Sequence, residues 1–220
     1  MLIQIANILE GSGLAEVQAA LAALPFEDGR TTAGWSARLV KENQQVPRGD
    51  AKAEPIKQKL AAKIAENEVF QLAVRPKKLS PLTISRYQPG MSYGTHVDDA
   101  LMGGMRSDVS FTLFLADPAS YEGGELVIES ASGEEDVKLP AGALVAYPSG
   151  SLHRVAPVIR GVRLAAVGWV RSFLRFPEQR ELLFDLETAR RSLFTREGKS
   201  REFDLMSKTS ANLLRMWAED

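Results

Sequence analysis

The sequence predicts a mainly β fold with flanking helices: a jelly roll or related barrel behind a helical N-terminal layer and ahead of a C-terminal helical extension. Three observations carry this. Short runs rich in β-branched and aromatic residues fill the middle of the chain, over about residues 69–173. Turn signals punctuate them at Gln88-Pro89-Gly90, Gly103-Gly104, Gly123-Gly124, Ser132-Gly133, Ser149-Gly150 and Gly161. No helical period interrupts the run, which argues against an alternating α/β sheet. The candidate strands are 69–75, 82–87, 109–115, 125–129, 137–139, 143–147, 154–158 and 162–171. About eight short strands of this kind suit a jelly roll.

The flanks read as helix. Leu14, Val17, Leu21 and Leu24 follow a helical period that Pro25 closes. Residues 41–55 are polar with two prolines and read as a loop. Pro55 then stands at a helix start, and Ile56, Leu60 and Ile64 recur at i+4. This N-terminal zone reads as scaffold packing. After Pro177, Leu182, Leu183, Leu186, Leu193 and Phe194 form one apolar stripe. Beyond the Gly198 break, Leu205, Leu213, Leu214 and Trp217 form a second. These stripes suit docking on the barrel or a homodimer interface. The expected division is supporting elements over 1–78, the barrel over 79–176 and the helical extension over 177–220.

Composition narrows the chemistry. The 220 residues are 45% hydrophobic and 25% charged, as a globular domain requires. A net charge of -1 offers no global basic bias for nucleic acid or an anionic membrane. With no cysteine, thiolate metal sites, iron–sulfur clusters, disulfides and cysteine nucleophiles are excluded. Residues 1–13 carry no basic residue ahead of their apolar stretch, and no apolar run reaches membrane-spanning length, so the expected location is the cytoplasm.

Any metal must therefore take His, Asp or Glu, and the only histidines are His96 and His153. His96 and Asp98 stand at i and i+2, on one face of an extended segment. Asp99, at i+3, should face away. His153 lies far along the chain, just before a strand. Two histidines and one carboxylate on one octahedral face leave three positions open, the facial triad of non-haem Fe(II) oxygenases. Arg163 follows His153 by ten residues, and the intervening Pro and Gly suggest a turn into a neighbouring strand from which it could point into the same barrel. The alternative is a surface arginine, since Arg160 and Arg171 lie nearby; the triad favours the barrel. A guanidinium buried there needs a carboxylate partner, which a free dicarboxylate co-substrate supplies.

Several motifs then occur in order. Ser85-Arg86-Tyr87-Gln88-Pro89-Gly90 leads to Tyr93, His96 and Asp98. Arg106, Asp108 and a strand from Val109 to Leu115 follow, then Glu122-Gly123-Gly124-Glu125. Pro140, Gly142 and Tyr147-Pro148 precede Leu152-His153 and Pro157-Val158-Ile159-Arg160-Gly161-Val162-Arg163. This set resembles the Fe(II)/2-oxoglutarate dioxygenases of the prolyl/lysyl hydroxylase class, and within it the bacterial PKHD-type hydroxylases. The resemblance implies a double-stranded β-helix. It implies Fe(2+) on His96, Asp98 and His153, and the distal carboxylate of 2-oxoglutarate on Arg163. It places Tyr87 where such enzymes often contact the co-substrate; a core strand aromatic is the equal alternative. It implies O2 as oxidant and L-ascorbate as reductant. The implied reaction hydroxylates a C–H bond of a peptidyl proline or lysine or of a small molecule, with release of succinate and CO2.

Two departures bear on this. The strand after the metal motif has Phe114 where some animal relatives carry a tyrosine that holds 2-oxoglutarate, which shifts weight to Arg163 or Thr112. Trp169 stands where nucleic-acid demethylases carry a second arginine, which lowers a nucleic-acid reading. Gly123 and Gly124 suit a turn and need no catalytic role. Residues 99–107, rich in Gly and Met, read equally as a lid or a connector. The competing reading from another class is a non-catalytic metal-binding or iron-sensing module, against which Arg163 speaks. A cupin-type site would need further histidines.

Overall fold

The computed structural model describes residues 1–219. In chain order its strands are β1 (Ile3–Ile5), β2 (Glu27–Asp28), β3 (Lys41–Glu42), β4 (Gln44–Gln45), β5 (Pro76–Leu79), β6 (Thr83–Tyr87), β7 (Ser92–His96), β8 (Leu101–Met102) and β9 (Met105–Arg106). They continue with β10 (Val109–Phe114), β11 (Glu122–Gly123), β12 (Leu126–Ser130), β13 (Gly133–Val137), β14 (Leu144–Pro148), β15 (His153–Val155), β16 (Val158–Arg160) and β17 (Arg163–Ser172). The helices are α1 (Gly11–Ala22), α2 (Ala53–Glu66), α3 (Glu68–Val74), α4 (Pro177–Glu197) and α5 (Arg201–Trp217).

Two antiparallel sheets form the jelly roll. The larger runs β1-β14-β10-β17-β6-β4-β2, with β5 also on β17; the smaller runs β13-β12-β15-β7-β3. Strand pleating gives the larger sheet two different faces. Ile84, Phe111, Leu113, Leu144, Ala146, Ala166 and Val170 point outward. There they meet Val17 and Leu21 of α1, Leu60 and Ile64 of α2, and Phe70 and Val74 of α3. Burying each such large apolar side chain stabilises by about 1.5–3 kcal/mol. Phe114, Val145 and Tyr147 point inward, against Leu126, Ile128 and Val155 of the smaller sheet.

The register sets the inner face. Ser110 lies opposite Tyr147 on one side and Trp169 on the other. Thr112 lies opposite Val145 and Val167, and Arg163 opposite Tyr87. Directly opposed residues share a face, so these side chains all line the space between the sheets.

The structure corrects several local expectations. Residues 69–75 are not a strand: 69–74 belong to helix α3. Asn67 caps it by accepting a hydrogen bond from the Phe70 amide, and left-handed Arg75 (φ 49°) ends it. Phe70, Ala73 and Val74 then bury one face, so cap and packing outweigh the β-branched composition. Residues 41–55 are not all loop: β3 pairs with β7, and β4 with β6, at the edges of the two sheets. The strand expected at 137–139 is instead Gly133–Val137, the second arm of a hairpin. The strand expected at 154–158 is two, β15 and β16, interrupted at Pro157. Strand β7 escapes the sequence signals because Gly94 and small polar residues dilute its pattern. Residues 99–107 contain the small hairpin β8–β9, turned by Gly103 and Gly104 at φ 57° and 79°.

The C-terminal helices dock as a pair. Pro177 opens α4, Gly198 ends it, and Ser200 caps α5 by accepting from the Phe203 amide. Leu183 is fully buried, but Leu182 and Phe194 of the expected stripe are exposed. The hidden face of α4 is partly polar: Glu187 accepts from Ser210 Oγ (2.5 Å) and from Arg190 (2.6 Å). Arg106 ties the end of the chain back to the barrel through Asp108 (2.7 Å) and Glu219 (2.6 Å). Among the described residues no helix is long and apolar enough to cross a membrane.

Candidate metal and co-substrate site

His96 ends β7 and His153 begins β15, and these two strands pair with the two histidines directly opposite each other. Pairing therefore brings together residues far apart in sequence. Their ring centroids are 4.3 Å apart. Asp98 lies two residues beyond the end of β7, not within it. It still joins them: one ligand atom from each of His96, Asp98 and His153 lies within 4.8 Å of the others. Asp98 Oδ2 is 3.8 Å from His153 Nε2. Asp99 also lines the cavity but stands outside this cluster.

The backbone orients both rings. His96 Nδ1 lies 2.9 Å from the Gly94 carbonyl, and His153 Nδ1 lies 3.0 Å from the Ser151 carbonyl. A carbonyl only accepts, so each Nδ1 carries a proton, and Nε2 is the atom that each ring offers as a ligand. Burial, reinforced by neighbouring His153, pushes His96 down to about 4, so it is neutral at ordinary pH. Tyr93 stacks on His96 at 3.7 Å between centroids. Ser110 Oγ lies 2.5 Å from Asp98 Oδ2 and 2.9 Å from Ser149 Oγ. One hydroxyl has one proton, so Ser149 donates to Ser110 and Ser110 donates to the carboxylate. Two free imidazole nitrogens and an oriented carboxylate form a donor set that can hold a hard or borderline divalent metal.

Arg163, the first residue of β17, is 1% exposed. Its guanidinium lies over the rings of Tyr87 (5.1 Å) and Phe114 (5.5 Å). Its Nε has no hydrogen-bond partner, and among the described residues no carboxylate lies within ion-pairing distance. Gly124 makes room for it: a Cβ there would sit 3.1 Å from Arg163 Cδ and 2.9 Å from Val158 Cγ2. Gly124 thus makes room for the Arg163 side chain as well as turning the chain. Tyr87 is buried at the cavity wall, and burial raises its hydroxyl against the opposing pull of Arg163. Thr112 lines the same wall.

Three contributors were not visible in the sequence. Tyr147 sits with its ring 5.1 Å from that of His153 and hydrogen-bonds Thr112; burial holds its hydroxyl well above the ordinary range. Ser110 anchors Asp98. Segment 32–48, read as scaffold, supplies Thr32, Lys41, Gln45 and Arg48 to the cavity. Burial presses the Lys41 ammonium down to about 8, against a weaker lift from Asp98. The one available signal for the first two was strand alternation, which puts Ser110, Thr112 and Tyr147 on the same face as Arg163.

Fold and site together define a class, the Fe(II)- and 2-oxoglutarate-dependent oxygenases. Residues 82–171 match the 2OG-Fe(II) oxygenase superfamily, and residues 178–219 match the PKHD-type hydroxylase C-terminal domain. A PKHD-type hydroxylase of Picosynechococcus is 53% identical over 219 residues, and one of Synechococcus elongatus is 54% identical over 223. Each match covers 100% of both chains. The chain belongs to the PKHD-type hydroxylases and is a 2-oxoglutarate-dependent hydroxylase. Among solved structures, a Pseudomonas putida prolyl-4-hydroxylase is similar at 25% identity and a TM-score of 0.52, covering 78% of this chain and 92% of its own. A Trichoplax adhaerens prolyl hydroxylase, solved with a hypoxia inducible factor peptide fragment, shares the fold at 16% identity and a TM-score of 0.61, covering 83% and 86%.

Proposed function

We propose that the chain hydroxylates a C–H bond of a small molecule or a prolyl- or lysyl-like peptide side chain, in the cytoplasm, with L-ascorbate as accessory reductant. His96, Asp98 and His153 hold Fe(II), Arg163 takes the distal carboxylate of 2-oxoglutarate, and Tyr87 flanks it. Iron so held lets O2 and 2-oxoglutarate oxidise the substrate, giving alcohol, succinate and CO2. The observation that carries the reading is Arg163: a buried guanidinium facing the metal-ligand cluster without a protein carboxylate is an incomplete ion pair. A dicarboxylate completes it.

The remaining side chains have supporting tasks. The carbonyls of Gly94 and Ser151 keep both imidazole Nε2 atoms turned toward the ion. Ser110 holds Asp98 in place and takes up part of its charge. The rings of Tyr87 and Phe114 sandwich the guanidinium and exclude water from its ion pair.

The test is succinate release from 2-oxoglutarate with Fe(II), O2 and ascorbate, in wild type, His96→Ala and Arg163→Ala. Slow turnover without substrate is expected in wild type. It should vanish in His96→Ala, and in Arg163→Ala it should return only at raised 2-oxoglutarate. Iron binding with no affinity for 2-oxoglutarate would contradict the reading.

A further inference from the structure

Lys41 is a second cation in the same cavity, and the site described so far does not use it. It is 5% exposed, nearly as buried as Arg163. Its direct contacts are neutral; the charges that reach it are those of Asp98, Arg48 and Asp28, and Asp28 is paired with Arg30. Nζ donates to Thr32 Oγ1 (3.0 Å) and lies 5.1 Å from the Tyr93 ring centroid. Thr32 Oγ1 in turn donates to Gln45 Oε1 (2.6 Å), and Gln45 Nε2 lies 3.4 Å from Ser85 Oγ. This chain uses one ammonium proton and offers no anion.

Among the described residues, Lys41 forms no ion pair with a carboxylate. Asp98 feels its charge but is committed to the metal cluster. Arg48, exposed, lines the cavity too and forms no ion pair among the described residues. Lys41 and Arg163 have separate surroundings: Arg163 lies over Tyr87 and Phe114, Lys41 over Tyr93. The backbone of Lys41 is pinned opposite Tyr93 on the strand that ends in His96. A buried ammonium without a counter-charge is destabilising, and holding it rigidly beside a metal site has a purpose only if a ligand brings the anion.

We propose that the substrate carries a carboxylate, which docks on Lys41 with Arg48 at the rim. Lys41 is thus a specificity-determining residue that sets which carbon faces the metal. The inference rests on the hydroxylase reading with 2-oxoglutarate on Arg163. The carboxylate is either that of a free acid or the terminus of a peptide, and the same pocket serves both.

The experiment uses the full chain loaded with Mn(II), and first measures 2-oxoglutarate binding by calorimetry. With 2-oxoglutarate saturating, two probe pairs are then titrated: pentanoate against pentanamide, and an N-acetylated tripeptide with a free C-terminus against its C-terminal amide. At least one acid should bind about tenfold or more tightly than its amide, and the pair that shows it identifies the source. Lys41→Met should abolish the preference, and Lys41→Arg should retain part of it. The melting temperature of metal-free Lys41→Met should equal or exceed that of wild type, whereas a purely structural lysine would lower it on removal. Equal binding of acid and amide in both pairs, or a preference that survives Lys41→Met, overturns the inference while leaving the 2-oxoglutarate site intact. Absence of 2-oxoglutarate binding in wild type overturns the underlying reading and this inference with it.

Discussion

The two faces of the larger sheet come from the same strands and do opposite work. Outward, Ile84, Phe111, Leu113, Leu144 and Ala166 form an almost purely apolar layer under the helices. Inward, Ser85, Ser110, Thr112, Tyr147, Arg163 and Trp169 bring hydroxyls, an indole and a guanidinium into the cavity. Side chains one residue apart along β10 thus belong to different economies of free energy. The outer face supplies stability by burying apolar area. The inner face gives up some of that stability, because Arg163 and Lys41 are buried without counter-ions. Trp169 Nε1 and Arg163 Nε are buried and unpartnered, as expected where a ligand completes the hydrogen bonding. Damage to one face should therefore read out differently from damage to the other.

Leu113→Ala tests the outer face. The side chain is fully buried, so the substitution should destabilise the fold by about 2–5 kcal/mol. Denaturant unfolding checks this. At temperatures where the variant is folded, its 2-oxoglutarate affinity should match wild type. A large loss of affinity in the folded variant would erase the distinction between faces.

Ser110→Ala, on the inner face of the same strand, should behave oppositely. Losing the bond that anchors Asp98 should weaken metal binding by about 10–100-fold. The melting temperature of the metal-free protein should change little. Metal titration followed by calorimetry, paired with thermal unfolding, decides it.

Gly124→Ala probes the room that Arg163 needs. The residue has φ 67°, and its Cβ would press on Val158 and Arg163. About 1–3 kcal/mol of destabilisation is expected, with weaker 2-oxoglutarate binding as the guanidinium shifts. Normal affinity in this variant would mean that Arg163 does not need that space.

The smallest effect is on pH dependence. Partly buried His96 has its proton affinity lowered to about 4 in the fold, below its value in the unfolded chain. The unfolded state then binds more protons on acidification. Stability from this group is fully present above about pH 6.5 and is lost as the pH falls toward 4. Metal-free wild type should lose more stability over that interval than His96→Gln, whose side chain does not titrate. Parallel curves for the two proteins would contradict the burial argument.

Much of the site was legible because the metal-ligating types are so scarce. With two histidines and no cysteine, His96, His153 and the neighbouring Asp98 were the natural candidates, and Arg163 followed from its spacing after His153. The jelly roll was legible from strand runs broken by turn residues. What escaped depends on chain segments meeting across the fold. Lys41 and Gln45 sit in a polar stretch with no periodicity, and only their pairing with β7 and β6 brings them to the cavity. Helix α3 escaped for a local reason: its Val and Phe residues favour strand, while the Asn67 cap and the apolar layer beneath favour helix. The i, i+2 argument for His96 and Asp98 picked a pair that the fold does bring together with His153, but through a segment that is not extended throughout, since β7 stops at His96.

The most direct test of the two-faced sheet is a paired measurement on Arg163→Met: the 2-oxoglutarate dissociation constant with Mn(II) bound, and the melting temperature of the metal-free protein. Removing the buried cation should weaken 2-oxoglutarate binding by about 2–5 kcal/mol, roughly 30-fold or more. The same substitution should leave the melting temperature unchanged or raise it. A variant that melts well below wild type yet binds 2-oxoglutarate with undiminished affinity would contradict the account, because Arg163 would then support the fold and not the co-substrate.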